Sequence, residues 1–108
     1  GSTRAALANY SVAVSKVVAR DNVLINTLLP GMHHSAFVED QFNERAAAKG
    51  ITYDEEVAQF CRDWRIATEK FGDCDDVGDW AAMFCSEQAN YITGQSLVID
   101  GGATNSIF

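Results

Sequence analysis

The sequence predicts an α/β chain in the order helix, strand, irregular helical segment, helix, strand, with the two strands paired in parallel. Three observations lead there. Residues 3–20 repeat apolar side chains at helical spacing. Val23–Leu29 is a near-continuous apolar run of strand length, the pattern of a strand covered on both faces. A second strand, Ser96–Asp100, arrives only after further helix, and a connection through helices imposes a right-handed crossover and parallel pairing. Two parallel strands are a thin sheet, since such sheets are normally wider and buried on both faces. Their edges therefore call for cover from another part of the protein or another copy of the chain.

In the first helix Leu7, Tyr10, Val14, Val17 and Val18 form one apolar face, and Ala6, Val12 and Ala13 a second. A helix apolar on two sides is expected to pack on two sides. Asp21-Asn22 ends it, and Pro30-Gly31 stops the following strand. From Phe37 to Thr68 the chain is polar and helical with aromatic anchors. Val38, Phe42 and Ala46 make one stripe, ended by Lys49-Gly50, and Val57, Phe60, Cys61 and Trp64 make another. A third helix starts near Asp73, where Val77, Trp80, Ala81, Phe84 and Cys85 repeat at helical spacing. Asp73 is a suitable N-cap, and Asp75 and Asp76 place negative charge where the helix dipole favours it. Tyr91–Gln95 turns into the last strand, which Gly101-Gly102 breaks.

Composition narrows the function. A length of 108 residues suits one domain, and 47% hydrophobic residues allow a sizeable core. Eight basic against fifteen acidic residues give a formal charge of −7, a field that opposes nucleic acid and anionic membrane surfaces. No apolar run reaches spanning length and no cationic leader opens the chain. Three cysteines without Cys-x-x-Cys spacing suit a reducing, cytoplasmic setting. Cys61 and Cys85 lie on apolar stripes and are expected to be core thiols. Three aspartates around Cys74 oppose a reactive thiolate. The run from Asp73 to Asp79 imitates a calcium loop, but Val77 and Phe84 fall at its positions five and twelve, so the ligand set fails. His33-His34 has no third ligand at a fixed offset, so no metal is expected.

Five motifs occur in series: Arg4-Ala-Ala-Leu7, Asp21-Asn-Val-Leu-Ile-Asn26 leading to Pro30-Gly31, Phe71-Gly-Asp73, Tyr91-Ile-Thr-Gly94-Gln95 and Val98-Ile-Asp100-Gly-Gly102. In this order and separation they resemble the C-terminal part of the short-chain dehydrogenase/reductases, and the likeness covers nearly the whole chain. The closing Ile-Asp-Gly-Gly-Ala and terminal Phe108 look like a divergent bacterial branch. The implied fold is the C-terminal portion of a Rossmann-type, doubly wound parallel sheet, completed by oligomerisation or by a missing N-terminal half. The implied chemistry is NAD(P)-dependent oxidation or reduction of an alcohol or carbonyl. In that family a Tyr-x-x-x-Lys pair acts, the Lys lowering the Tyr pKa and holding the nicotinamide ribose.

By the same likeness Arg4 takes the place of the Lys, and the Tyr would fall one position before Gly1. Tyr10, Tyr53 and Tyr91 are followed four residues later by Val14, Val57 and Gln95, so none replaces it. There is no Gly-x-Gly-x-x-Gly and no phosphate-binding Gly-x-x-x-x-Gly-Lys run, so the chain alone is expected to bind no NAD or NADP. The resemblance assigns Pro30, Gly31, His33 and Ser35 to the nicotinamide loop, with His33 where an aliphatic residue is usual and Ser35 where a Thr is usual. It makes residues 37–68 the substrate lid, with Phe60 and Trp64 packing within it, and residues 3–20 a homo-oligomer interface to which the C-terminal strand could add.

Two functions follow: part of an oxidoreductase for a small-molecule substrate, or a relative without catalysis that self-associates or binds a partner. The reading frame upstream of Thr3 discriminates them, since a continuous frame with a Gly-rich turn favours the first and a start codon the second. Gly1-Ser2 reads either as native or as a tag remnant.

Overall fold

In the computed structural model the residues described are 2–105, so Gly1 and Phe108, on which two of the sequence readings touch, lie outside them. The elements are α1 (Ser2–Val18), β1 (Thr27–Pro30), α2 (Ala36–Lys49), α3 (Tyr53–Asp63), α4 (Cys74–Phe84) and β2 (Ser96–Ile99). Short 3-10 turns occupy Ala19–Asp21 and Glu87–Ala89. This is the mixed α/β order expected. Thr27 N–H donates to Gln95 O and Gly31 N–H to Ile99 O, and this equal advance along both strands makes the pair parallel. Thr27 and Gly31 face β2 at this two-residue alternation, so Pro30 lacks its N–H only on the side away from β2. The chain divides into two compact units, one of Gly1–Leu29 with Val77–Val98, the other of Pro30–Asp76 with Ile99–Phe108.

In the first unit the strand begins four residues later than Val23. The reason is Asn26, which sits inside the apolar run. Its amide donates to Ile92 O and accepts from Gln95 N–H, while Ile25 N–H donates to Thr93 Oγ1 and Ile25 O accepts from Gly94 N–H. These residues are tied to the turn 92–95 rather than laid into a ladder. Nor is the run covered on both faces within the chain: Val23, Leu24 and Leu29 are exposed. α1 also departs from expectation. Among its described residues only Ser15 is fully buried, and its hydroxyl donates to Val12 O and lies where a Cβ on Gly94 would fall. Leu7, Tyr10 and Val17 are 60–67% exposed, while Val12, Val14 and Val18 are half-buried, so the two apolar faces are at most partly covered within the chain. Asn22, at φ 61°, closes the helix end as the sequence indicated.

α4 begins where expected, with Asp75 and Asp76 in its first turn. At its start Asp73 N–H donates to the Asp76 carboxylate and Asp76 N–H donates to Asp73 O. None of its apolar stripe is fully buried, and Cys85 is exposed. The expectation that Cys85 is a core thiol is therefore wrong. A helical period shows that a face is apolar, and only a packing partner buries it.

The second unit holds the core: Phe42, Val57, Cys61, Ile66 and Phe71. α2 and α3 pack together as a helical hairpin. Ser35 caps α2 by accepting from Val38 N–H, and Gly50 ends it at φ 69°. Thr52 caps α3 by accepting from Glu55 N–H. Phe42, Phe60 and Phe71 meet edge to face with centroids 5.2–5.6 Å apart, the arrangement aromatic quadrupoles prefer. Trp64 stacks on Phe60 at 5.6 Å but stays mostly exposed.

Glu56 is entirely buried in this hairpin. Lys49 Nζ donates to its Oε2 at 2.8 Å, and Arg45 Nη2 stands 3.1 Å from Oε1 without the alignment of a hydrogen bond. The Arg45 guanidinium also lies over the Phe42 ring, 4.7 Å from its centroid. Two cations from α2 thus hold one anion of α3, and the guanidinium of Arg45 also covers the Phe42 and Phe60 rings.

Glu56→Ala is expected to lower stability by about 1–3 kcal/mol, since a buried charge is removed while its half-exposed partners return to water. Urea denaturation of the two proteins measures this. Thiol accessibility provides a second check. Burial, with the charge of Glu69 and against a smaller pull from Arg62, pushes the Cys61 thiol up. Cys74 and Cys85 are therefore expected to react with an aromatic disulfide reagent in the native protein, and Cys61 only at the rate of unfolding.

Candidate functional site

The loop that follows β1 is fixed by backbone pairing. His33 and Gly72 form an isolated parallel bridge, in which Gly72 N–H donates to Met32 O at 3.0 Å and His34 N–H to Gly72 O at 2.9 Å. In such a bridge the N–H of His33 points away from Gly72. Among the described residues it meets no acceptor, while His33 O accepts from Ser35 N–H at 2.8 Å.

The bridge decides where the side chains go. His33 is buried, with Nδ1 2.9 Å from Gly31 O, and since a carbonyl only accepts, Nδ1 carries the proton of this bond. Gly72 permits this: a Cβ there would lie 2.8 Å from the His33 ring. Gly31 is equally constrained, since its Cβ would fall 2.6 Å from that of Asp100. The aliphatic position is thus filled by an imidazole that packs as core and bonds to its own loop. Ser35 keeps its hydroxyl on the α2 N-terminus, where the oxygen accepts and the proton remains free to donate elsewhere. Pro30, exposed, ends β1.

A cavity of about 150 Å³ lies beside this loop, lined by His33, Lys70, Phe71, Gly72, Asp100 and Gly101 among others. Asp100 organises its rim. Its carboxylate accepts from the N–H groups of Gly102 and Thr104 at 2.9 Å and from the Thr104 hydroxyl. The Thr104 hydroxyl is the main reason its pKa lies below the usual carboxylate range, aided by the backbone N–H groups of Gly102, Thr104 and Ala103 against a desolvation that raises it.

Gly31, His33 and Ser35 share the loop of the second unit, whereas Arg4 is an exposed residue of α1 in the first. Sequence reasoning missed the pair His34 and Tyr53, whose Nδ1 and Oη are 2.7 Å apart, and it missed Glu56. Thr52 and Glu55, in capping-box spacing, were the available signal that α3 starts at Tyr53. Among the described residues no group of three or more His, Cys, Asp or Glu side chains could hold a metal, and no helix is long and apolar enough to cross a membrane.

A parallel β-pair joined through helices, with a Gly-containing loop at the carboxyl end of its first strand, defines part of a doubly wound α/β protein, where ligands bind beyond the strand ends. The family follows from comparison: a family model described as Enoyl-(Acyl carrier protein) reductase matches residues 1–104, and the chain belongs to the short-chain dehydrogenase/reductases, corresponding to their C-terminal part. It is similar to the NADPH-dependent reductase BacG of Bacillus subtilis, 33% identical over 107 residues, with 95% of this chain and 39% of that protein covered. The 3-oxoacyl-(acyl-carrier-protein) reductase FabG of Aquifex aeolicus is 30% identical, with 93% and 35% covered. The chain thus spans well under half the length of these curated relatives. Among solved structures, L-sorbose reductase from Gluconobacter frateurii, complexed with NADPH and L-sorbose, superposes with a TM-score of 0.87 at 22% identity over 97% of this chain and 40% of its own. YwfH, an NADPH dependent reductase involved in bacilysin biosynthesis, gives 0.75 at 34% identity over 95% and 38%.

The Asp100 carboxylate, with its folded pKa depressed, contributes stability that is present above the ordinary carboxylate pKa and lost as pH falls through the lower folded value. Wild type is therefore expected to lose stability between about pH 4 and the depressed pKa more steeply than Asp100→Asn, as measured by thermal melts across that range.

Proposed function

We propose that the chain is the part of an NAD(P)-dependent oxidoreductase, acting on an alcohol or carbonyl, that supplies the nicotinamide loop, the substrate lid and an association surface. The observation that carries this reading is the loop Gly31–Ser35. It presents a backbone N–H on His33 without an acceptor and a Ser35 hydroxyl whose proton is uncommitted, two donors suited to the carbonyl of a nicotinamide carboxamide. These residues fit the nicotinamide end of the cofactor. No residue run in the chain fits its pyrophosphate. When bound, the nicotinamide would donate or accept a hydride.

The remaining roles belong to the chain's own residues. The hairpin of α2 and α3, stiffened by Glu56 and the phenylalanine cluster, excludes water above the substrate. Arg4, aligned with the family Lys, supplies fixed positive charge that favours a neighbouring tyrosinate, but its planar fork reaches a different point from an ammonium. The exposed Leu7, Tyr10 and Val17 of α1, with Trp80 and Met83 of α4, support association with a second copy. The same exposed faces favour the alternative, a non-catalytic module that self-associates or binds a partner.

The protein in its natural reading frame is expected to be a slow reductase of small carbonyl compounds. Arg4→Lys is expected to raise kcat/KM roughly tenfold, about 1.4 kcal/mol of transition-state stabilisation. Steady-state kinetics of both proteins with NADH and NADPH test this. A robust activity abolished by Arg4→Lys would show that Arg4 has a role of its own, and turnover by neither protein would favour the association module.

A further inference from the structure

Beyond β2 the residues 100–104 turn back, and in the second unit this turn touches both the loop after β1 and the segment that leads to α4. On one side the backbones come together: Gly31 N–H donates to Ile99 O at 2.9 Å, and a Cβ on Gly31 would lie 2.6 Å from that of Asp100. On the other side Thr68 N–H donates to Gly101 O at 2.9 Å, and Gly102 has no room for a Cβ beside Ala67. The chain then returns to the loop at Gly72, which is bonded to Met32 and His34. Loop, segment 68–72 and turn therefore close a ring of backbone hydrogen bonds. Residues of all three line the cavity of about 150 Å³. A void supplies no packing contacts, so the hydrogen bonds around it set the spacing of its walls. The turn is the weak point of the ring, because Gly101 and Gly102 stand at φ 62° and 83°, and glycine loses the most conformational freedom on folding. Asp100 offsets this. Its carboxylate accepts from the N–H groups of Gly102 and Thr104, both at 2.9 Å, and from the Thr104 hydroxyl.

We propose that Asp100 is a positioning residue for the cofactor: its carboxylate fixes the turn 100–104, and through Gly31 and Thr68 the turn holds the loop Gly31–Ser35 in the shape that receives the nicotinamide. This rests on the reading of Gly31–Ser35 as the nicotinamide loop. Asp100 acts through its neighbours, and the role requires no contact of its own with the cofactor. Without the carboxylate, the N–H groups of Gly102 and Thr104 lose their acceptor and the two glycines are released. Gly31 and Thr68 are bonded to the carbonyls on either side of Asp100, so both lose a fixed partner together. A displacement of the loop by a fraction of a hydrogen-bond length is enough to spoil the alignment of donors with a bound group. The loss falls on the nicotinamide end alone, because no residue run in this chain fits the pyrophosphate.

The test uses the protein in its natural reading frame and calorimetric titration with NADH, NADPH, and ADP-ribose or its 2′-phosphate, which lack the nicotinamide. Asp100→Ala is expected to weaken the reduced cofactor roughly tenfold while changing the fragment less than about twofold. Asp100→Asn, which keeps one acceptor oxygen, is expected to fall between wild type and Asp100→Ala. Amide hydrogen exchange of Asp100→Asn is expected to quicken at Gly31, Thr68 and Gly72 as well as at Gly102 and Thr104, with the amides of α2 and α3 unchanged. Equal weakening of cofactor and fragment, unchanged cofactor affinity in Asp100→Ala, or faster exchange confined to Gly102 and Thr104 would overturn the proposal alone. If Asp100→Ala does not fold, Thr104→Val decides, since it removes only the hydroxyl. A roughly threefold loss on the cofactor and none on the fragment supports the proposal, and equal affinities overturn it. Wild type that binds fragment and cofactor equally would overturn the reading of the loop, and binding of neither would overturn the oxidoreductase reading, each taking the proposal with it.

Discussion

The loop after β1 has its shape because two backbone hydrogen bonds tie Met32 and His34 to Gly72. An isolated bridge is a small constraint, yet it sets the direction of three successive residues. Side chains alternate along extended backbone, so the His33 ring lies over Gly72 while Met32 packs against the core and His34 against Phe71. The glycine is essential to that alternation, because the His33 ring occupies the space a Cβ would need. Phe71, the residue before it, enters the core beside Phe42 and Phe60 and so anchors the bridge from the other side. The same Phe71 ring touches His34. Loop geometry, core packing and the orientation of the His34 ring are therefore one mechanical system.

The helical hairpin above the core is held by means that differ in strength. The phenylalanine cluster supplies area and the edge-to-face preference, which do not depend on salt. The Glu56 cluster supplies direction, since an anion without water must keep its cations at hand. Arg45 serves both, pairing with Glu56 and covering Phe42. A hairpin built this way ties α2 to α3 while its outer aromatic residues, Phe37 and Trp64, remain exposed.

The first unit is built on a different balance. Its most closely packed helix residue is a serine, and its large apolar side chains are mostly outside. A helix of 17 residues with little packing is marginal by itself, because propagation barely repays nucleation and tertiary burial normally supplies the rest. The short ladder, the Asn26 amide and the bonds of Ile25 to the turn 92–95 are its internal ties. Family membership gives this a physical context, since the chain covers 39% of BacG and 35% of FabG, in which the remaining length belongs to the same protein.

The sequence by itself determined the order and kind of the elements, the start of α4, the end of α1 at Asn22, the end of α2 at Gly50 and the family. Each of these rests on local chemistry: spacing of apolar residues, a left-handed position, or a motif in register. The loop after β1 was legible as a segment because Pro30-Gly31 punctuates it. What only the tertiary structure decided depends on partners distant in sequence. Asn26 delays β1 because its amide finds residues 92 and 95. Cys61 is buried and Cys85 is not, although both sit on apolar stripes, because only one stripe meets a packed neighbour. Glu56 reads as a solvated charge until Lys49 and Arg45 are seen around it, and His34 finds its hydrogen-bond partner in Tyr53, nineteen residues away. Periodicity records which residues could be buried or bonded, and the long-range contact decides which of them are.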